Sequence, residues 1–214
     1  MGGCVPASRV NASLEAFIRA RFVLESLPFR PDIALYLPTP QSGLIGFLDA
    51  EGHAQTPPYW AYAWAGGAAL ALYLRDHPER VAGRSVLDFG AGSGLVGIAA
   101  AKAGARQVMA FEPDPLGRIA AAINAEANGV ELDEGTAQSP ADVVLAGDVF
   151  YNADVAARTL PALRAHAQRG ATVLVGDPFR RHLPLSALEL LAEYEVPDMG
   201  GPAPVRAGIF ALRP

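Results

Sequence analysis

One short stretch constrains this chain more than any other: Val86-Leu87-Asp88-Phe89-Gly90-Ala91-Gly92-Ser93-Gly94, followed directly by an apolar run over 95–103. A β-rich segment enters a turn with three alternate glycines, and a helix starts at once. Glycines in such a turn allow positive φ and let the backbone approach a ligand closely. The N–H groups freed at the helix start can bind a carboxylate or a phosphate. Strand, glycine turn and helix in that order predict the first unit of an α/β domain with a ligand site at the turn.

The spacing refines the ligand. Dinucleotide-binding turns follow G-x-G-x-x-G, whereas this chain has G-x-G-x-G with Asp88 two residues before the first glycine. An acid there repels a pyrophosphate but tolerates a ligand that carries an ammonium and a sulfonium, which favours S-adenosyl-L-methionine over NAD. Asp88, Gly90, Gly92 and Gly94 are therefore candidate cofactor-binding residues. Glu112 lies 24 residues after Asp88, at the end of the next β-rich run. An acid at that place can hold ribose hydroxyls. Asp114 reads more simply as the cap of a helix beginning near Leu116.

Beyond Gly94 the pattern stays regular. Helices are predicted over 95–103, 116–128, 153–168 and 185–194. Strands are predicted over 85–89, 107–111, 130–132, 142–146 and 171–176, with the last in 205–212. Such alternation implies a mostly parallel sheet with helices on both faces. Upstream, helices are expected over 13–27, ended by Pro28, and over 60–74. The Pro- and Gly-rich 29–58 reads as one or two short strands or loops.

In a sheet of this kind the ligand sits beyond the carboxyl ends of the strands. That rule points to Gly147-Asp148-Val149-Phe150-Tyr151 and to Asp177-Pro178-Phe179-Arg180. A carboxylate at Asp148 can orient an amine by hydrogen bonding. The rings of Phe150 and Tyr151 can stabilise an ammonium, with core packing as the alternative for both. The 177–180 segment either closes a substrate rim or is only a turn.

Charge and composition exclude several partners. A net charge of −5 lacks the basic footprint of a nucleic-acid binder. Cys4 is the only cysteine, so an internal disulfide and a cysteine zinc cluster are ruled out. The four histidines show no metal-ligand spacing. No apolar run approaches the roughly 20 residues of a membrane span, and the first residues do not read as a signal peptide. A cytoplasmic monomer with no membrane partner is expected.

Ahead of the glycine loop stands Pro57-Pro58-Tyr59-Trp60-Ala61-Tyr62-Ala63-Trp64-Ala65-Gly66-Gly67, and behind it the D-x-x-Y type motif from Asp148 to Tyr151. With these motifs the chain resembles the class I, seven-β-strand methyltransferases. Within that class it is similar to the family that modifies lysine in the β-subunit of the electron transfer flavoprotein. The likeness spans 57–177. It departs at Ala65, where related sequences tend to carry proline, and in the short 130–142 stretch. There the adenine-contacting acid stays open among Glu131, Asp133 and Glu134.

The resemblance implies a Rossmann-like fold, S-adenosyl-L-methionine as cofactor, and an acceptor protein with an exposed lysine. It implies that Trp64 and Gly66 line the cofactor pocket with Glu112 and Pro113. It also implies that Asp148 stands at the catalytic mouth, where Phe150 and Tyr151 shape the acceptor channel. Residues 57–214 would form the cofactor-binding domain, and 1–56 an N-terminal helix and loop extension packed on it. A small-molecule amine acceptor and a non-enzymatic cofactor-binding module are the alternative readings.

Overall fold

The structure is a computed structural model and describes residues 7–53, 57–198 and 203–213. It begins with α1 (Ala7–Arg21), a hairpin of β1 (Val23–Leu27) and β2 (Arg30–Leu37), and α2 (Leu44–Ala50). A 3₁₀ turn at Tyr59–Ala61 leads to α3 (Ala65–Asp76). Strands and helices then alternate: β3 (Ser85–Phe89), α4 (Leu95–Lys102), β4 (Gln107–Phe111), α5 (Pro115–Ala127), β5 (Asp133–Glu134), β6 (Val143–Gly147), α6 (Ala153–Gln168) and β7 (Thr172–Asp177). An antiparallel hairpin follows, made of β8 (Leu188–Val196) and β9 (Val205–Leu212).

Seven strands form one sheet in the order β5-β4-β3-β6-β7-β9-β8. β3 pairs in parallel with both β4 and β6, so the strand order reverses between β3 and β6. The crevice beyond their carboxyl ends is the place where such sheets bind ligands. Successive residues of each strand face opposite sides. Val86, Val143, Leu145 and Leu174 join α3 and α4 in one core cluster. Leu87, Val144, Val173 and Val175 join Leu163 of α6 in another. Burial on both faces explains why these strands read as continuous apolar runs. The mostly parallel sheet with helices on both faces is the architecture that the sequence predicts. No helix among the described residues is long and apolar enough to cross a membrane.

Five element expectations need correction, one of them within 29–58, where Leu44–Ala50 is a helix and not a strand or loop. The predicted helix over 13–27 ends at Arg21, and Val23–Leu27 is a strand paired with β2. The predicted helix over 60–74 is broken, because Tyr62 and Trp64 are extended and α3 starts only at Ala65. The strand expected over 130–132 lies at Asp133–Glu134. The predicted helix over 185–194 is a short 3₁₀ turn followed by strand β8. Its Leu, Ala and Glu favour a helix intrinsically, but pairing with β9 outweighs that local preference.

The N-terminal elements cover α5. Leu14, Ile18 and Phe22 pack with Leu44 and Leu48, and also with Trp60 and with Leu116, Ala120 and Ile123 of α5.

Candidate active site

The glycine turn after β3 is tied to the end of β4. The N–H groups of Gly90 and Ala91 both donate to the Phe111 carbonyl, at 2.8 and 3.0 Å. Gly90, Gly92 and Gly94 all have positive φ, at 82°, 52° and 82°, so a left-handed backbone is required at these three alternate positions of the turn. Their surroundings differ. A Cβ on Gly90 would come within 3.0 Å of Val149, and one on Gly94 within 3.1 Å of Ala121. One on Gly92 would meet nothing nearer than Trp60 Cα at 3.9 Å. Gly90 and Gly94 therefore permit close packing, and Gly92 is the open face of the turn.

Glu112 stands beside that open face. Its Oε2 accepts from the Gly92 N–H at 2.7 Å and its Oε1 from the Asp114 N–H at 2.9 Å. Two backbone donors thus hold the carboxylate against the turn while leaving further lone pairs available to a ligand. Burial raises its pKa, and the Asp114 and Gly92 N–H groups oppose the shift. Asp114 caps α5 by accepting from the Leu116 N–H at 2.9 Å, and Pro113 is exposed. The residues at this turn fit a ribose-bearing cofactor: an open glycine backbone with an oriented acid next to it.

Asp88 lies beneath the turn and is only 1% exposed. Its Oδ2 accepts from the N–H of Gly97, the third residue of α4, at 2.8 Å. It therefore clamps the start of α4 to the end of β3. A Cβ on residue 97 would sit 3.1 Å from that oxygen. Burial pushes the Asp88 pKa up to about 7, against the Gly97 N–H.

Asp148 repeats this device one strand over. Its Oδ2 accepts from the N–H of Gly67, the third residue of α3, at 2.9 Å. The positive end of α3 thus faces a carboxylate, which favours its ionised form. Burial raises the Asp148 pKa, with Arg180 as the main opposing influence. Its Oδ1 accepts from Arg180 at 2.6 Å. Asp148 has φ 57°, a left-handed conformation rare outside glycine and enriched at functional sites. Its backbone N–H, donating to the Gly176 carbonyl at 2.9 Å, helps hold it there. Gly66 lines this site in a different way from that expected. A Cβ there would fall 2.1 Å from the Gly176 carbonyl oxygen and 2.7 Å from Asp148 Oδ2. Its small size is what lets α3 cross β7 at the site.

An aromatic cluster lies by the Asp148–Arg180 pair, reached through the Arg180 guanidinium beside Trp64. The Tyr59 ring lies 5.1 Å from Tyr151 and 5.8 Å from Trp64. The indole N–H of Trp64 donates to the Tyr59 carbonyl at 2.7 Å. Tyr59 and Tyr151 are 42% and 43% exposed, so both present their rings to an incoming molecule. Phe150 does not. It is fully buried in the α6 core cluster and cannot shape an acceptor channel, which corrects the expectation for that residue. The D-x-x-Y spacing points Tyr151 outward and leaves Phe150 inside. Trp60 is likewise a core residue, stacked on Phe22.

The 177–180 segment is both a turn and part of the site. Asp177 is 0% exposed, and its Oδ1 accepts from the Arg180 N–H at 2.6 Å. Burial pushes its pKa up to about 6. The turn sends the Arg180 side chain back to Asp148, with its guanidinium carbon 5.8 Å from the centre of the Trp64 ring. Sequence reasoning left this segment open and did not single out Arg180 or Tyr59. The signal for Arg180 was its place just beyond the end of β7, next in the sheet to β6. Among the described residues, no group of three or more His, Cys, Asp or Glu is placed to hold a metal ion.

Residues 69–174 match the sequence profile of the ribosomal protein L11 methyltransferase (PrmA) family. The electron transfer flavoprotein beta subunit lysine methyltransferase of Rattus norvegicus is 36% identical over 192 residues, 82% of this chain and 73% of its own length. The protein of the same name from Xenopus laevis is 36% identical over 207 residues, 91% of this chain and 84% of its own. Among solved structures, the ribosomal protein L11 methylase of Lactobacillus delbrueckii shares the fold with a TM-score of 0.50 at 21% identity, covering 72% of this chain and 81% of its own. The T. thermophilus 16S rRNA N2 G1207 methyltransferase, solved with AdoMet and guanosine, does so with a TM-score of 0.52 at 24% identity, covering 72% of this chain and 44% of its own.

Proposed function

The chain belongs to the electron transfer flavoprotein beta subunit lysine methyltransferase family, and on that premise we propose that it methylates a lysine ε-amine of a protein acceptor, with S-adenosylmethionine as donor. It is a methyltransferase. The acceptor that its relatives' names indicate is the β-subunit of the electron transfer flavoprotein. The observation that carries the reading is Asp148 just after β6, across the strand-order reversal from the glycine turn and paired with Arg180, whose guanidinium lies 5.8 Å from the Trp64 ring of the Tyr59–Trp64–Tyr151 cluster.

When bound, the donor supplies an electrophilic methyl group on a sulfonium sulfur. Gly92 offers it an open backbone, and Glu112 offers a carboxylate for its ribose. Asp148 accepts a hydrogen bond from the acceptor nitrogen and so aims its lone pair. Free lysine has a pKa of about 10.4, so the nitrogen must react in its unprotonated form. Alignment within a site kept poor in water supplies much of the rate. The exposed rings of Tyr59 and Tyr151 help exclude water, and their faces suit the cationic methylammonium product.

The test is methyl-labelled donor with purified chain and the flavoprotein β-subunit, read by mass spectrometry of the acceptor. Label on lysine is the expected result. Label on small molecules of a cell extract, with the protein unmodified, would overturn the acceptor assignment. Asp148→Asn should leave donor affinity by calorimetry nearly unchanged and cut turnover by about 100-fold. Equal loss of both would remove Asp148 from the amine site.

A further inference from the structure

Arg180 is held at the site by more structure than a surface turn needs. Among the described residues, the non-glycine residues with positive φ are Asp148 and Phe179, at 57° and 61°. One carries the carboxylate of the ion pair, and the other precedes its arginine. The Phe179 ring is fixed between Arg206, 4.8 Å from its centre, and Phe210, at 5.4 Å. Asp177 Oδ1 takes the Arg180 N–H. The guanidinium then reaches Asp148 at 2.6 Å with its side chain only 24% exposed. Its Nε is buried without a hydrogen-bond partner, as is Oδ2 of Asp177.

We propose that Arg180 is a positioning residue: by pairing with Asp148, it lets that carboxylate hold the acceptor lysine as a neutral amine instead of an ammonium. The proposal rests on the lysine methyltransferase reading above. An unpaired carboxylate in a site poor in water is the partner that an ammonium prefers. It would raise the pKa of the bound amine by about 1–3 pH units and lock its lone pair in an N–H bond. A guanidinium cannot lose its proton near neutral pH, so Arg180 offsets the charge and leaves Asp148 able to accept a hydrogen bond.

The charges around the site are consistent with this. Asp148 follows β6, Asp177 ends β7, and Arg180 stands in the turn beyond it. Arg180 is the guanidinium set against this cluster, and a sulfonium donor would add a second positive charge. Asp198, after β8, meets the Ala65 N–H at 3.4 Å at the start of α3. It raises the Asp148 pKa weakly. Tyr151 at the rim is a phenol whose pKa burial raises, with Tyr59 and Glu112 adding to the shift and Arg158 opposing it. With Arg180 in place, the Asp148 carboxylate is matched directly without the acceptor's proton. Loss of Arg180 restores an unmatched negative charge, which an ammonium fills.

The reaction then runs as a displacement. The amine lone pair forms the N–C bond, the C–S bond breaks with its electrons going to sulfur, and the new ammonium loses its proton to solvent. The test compares wild type with Arg180→Gln and Arg180→Lys. The acid limb of kcat against pH, which reports the bound complex, should move up by about one pH unit or more in Arg180→Gln. It should keep its place in Arg180→Lys, with the Arg180→Gln rate recovering at high pH. A structural role alone would lower the rate in parallel at all pH values. Independently of turnover, the Asp148 carboxyl carbon should titrate at higher pH in Arg180→Gln than in wild type, read by 13C NMR without acceptor. An unmoved titration overturns the proposal, and so does a moved titration with a parallel rate profile. A wild type that methylates no lysine removes the functional reading instead, and the carboxyl titration still decides the charge coupling.

Discussion

At the scale of single residues, two aspartates share one geometry and differ in what surrounds them. Asp88 and Asp148 each accept from the third residue of a helix, Gly97 and Gly67. Asp148 also has Arg180 beside it and an open rim above, whereas Asp88 is sealed under the glycine turn. Burial without a counter-charge is why its pKa is pushed up to about 7. An acid whose folded value lies above its unfolded one, about 3.9, stabilises the fold when protonated. That contribution is complete below about pH 4 and is lost as pH rises through about 7. At 1.36 kcal/mol per pH unit it amounts to about 4 kcal/mol. Asp88→Asn keeps an acceptor for Gly97 but does not ionise. Its stability should therefore fall less than that of wild type between about pH 4 and pH 7. Some slope should persist, because Asp177, pushed up to about 6 by burial, acts with the same sign. Thermal melts across that range check this; parallel curves for the two proteins would show that Asp88 is not the titrating group.

At the scale of elements, α5 joins the N-terminal hairpin to the glycine turn. The edge of β2 that faces away from β1 is covered by two asparagines one helical turn apart. Asn124 accepts from the Tyr36 N–H at 2.8 Å. Asn128 accepts from the Ala34 N–H at 3.0 Å and donates to the Ala34 carbonyl at 2.6 Å. A helix here satisfies a strand edge that would otherwise be open. Asn124 also donates to the Ser93 carbonyl at 2.8 Å, within the turn itself. Asn124→Ala leaves a buried donor and a buried acceptor unpaired, at a cost of about 2–4 kcal/mol. It should also speed amide exchange at Gly92 and Gly94, while Asn128→Ala, whose side chain reaches the hairpin and the Asn124 carbonyl but not the turn, should not. Equal protection of the turn in both variants would deny the link. None of this was legible in the sequence, where the two asparagines read as helix residues near an Asn-Gly stop. Their partners lie 88 and 94 residues away in the chain.

At the scale of the whole molecule, the sheet reverses its strand order between β3 and β6, and the N-terminal elements lie over α5 on the β3 side. That cover shares a core with the rest: Leu14, Ile18, Phe22, Leu44 and Leu48 bury Trp60, Leu116, Ala120 and Ile123. The full chain should therefore unfold in a single thermal transition. Residues 57–214 alone should melt lower by about 6–12 °C, since a loss of about 3 kcal/mol shifts a protein of this size by that amount. An unchanged midpoint would make the first 56 residues a separate module.

The features legible along the chain are local. The strand, glycine turn and helix, the acid at Glu112, the cap at Asp114 and the alternating order of elements follow from residues near one another, where backbone freedom and side-chain period are set. The remaining features depend on contacts between distant parts of the chain. Pairing turned 23–27 and 188–196 into strands against their local patterns. Burial drew Phe150 and Trp60 into the core. Packing of β6 beside β7 brought Arg180 onto Asp148, 32 residues apart in the chain. Free energies of pairing, burial and charge arise from what a residue meets in space, and that partner is not written beside it in the chain.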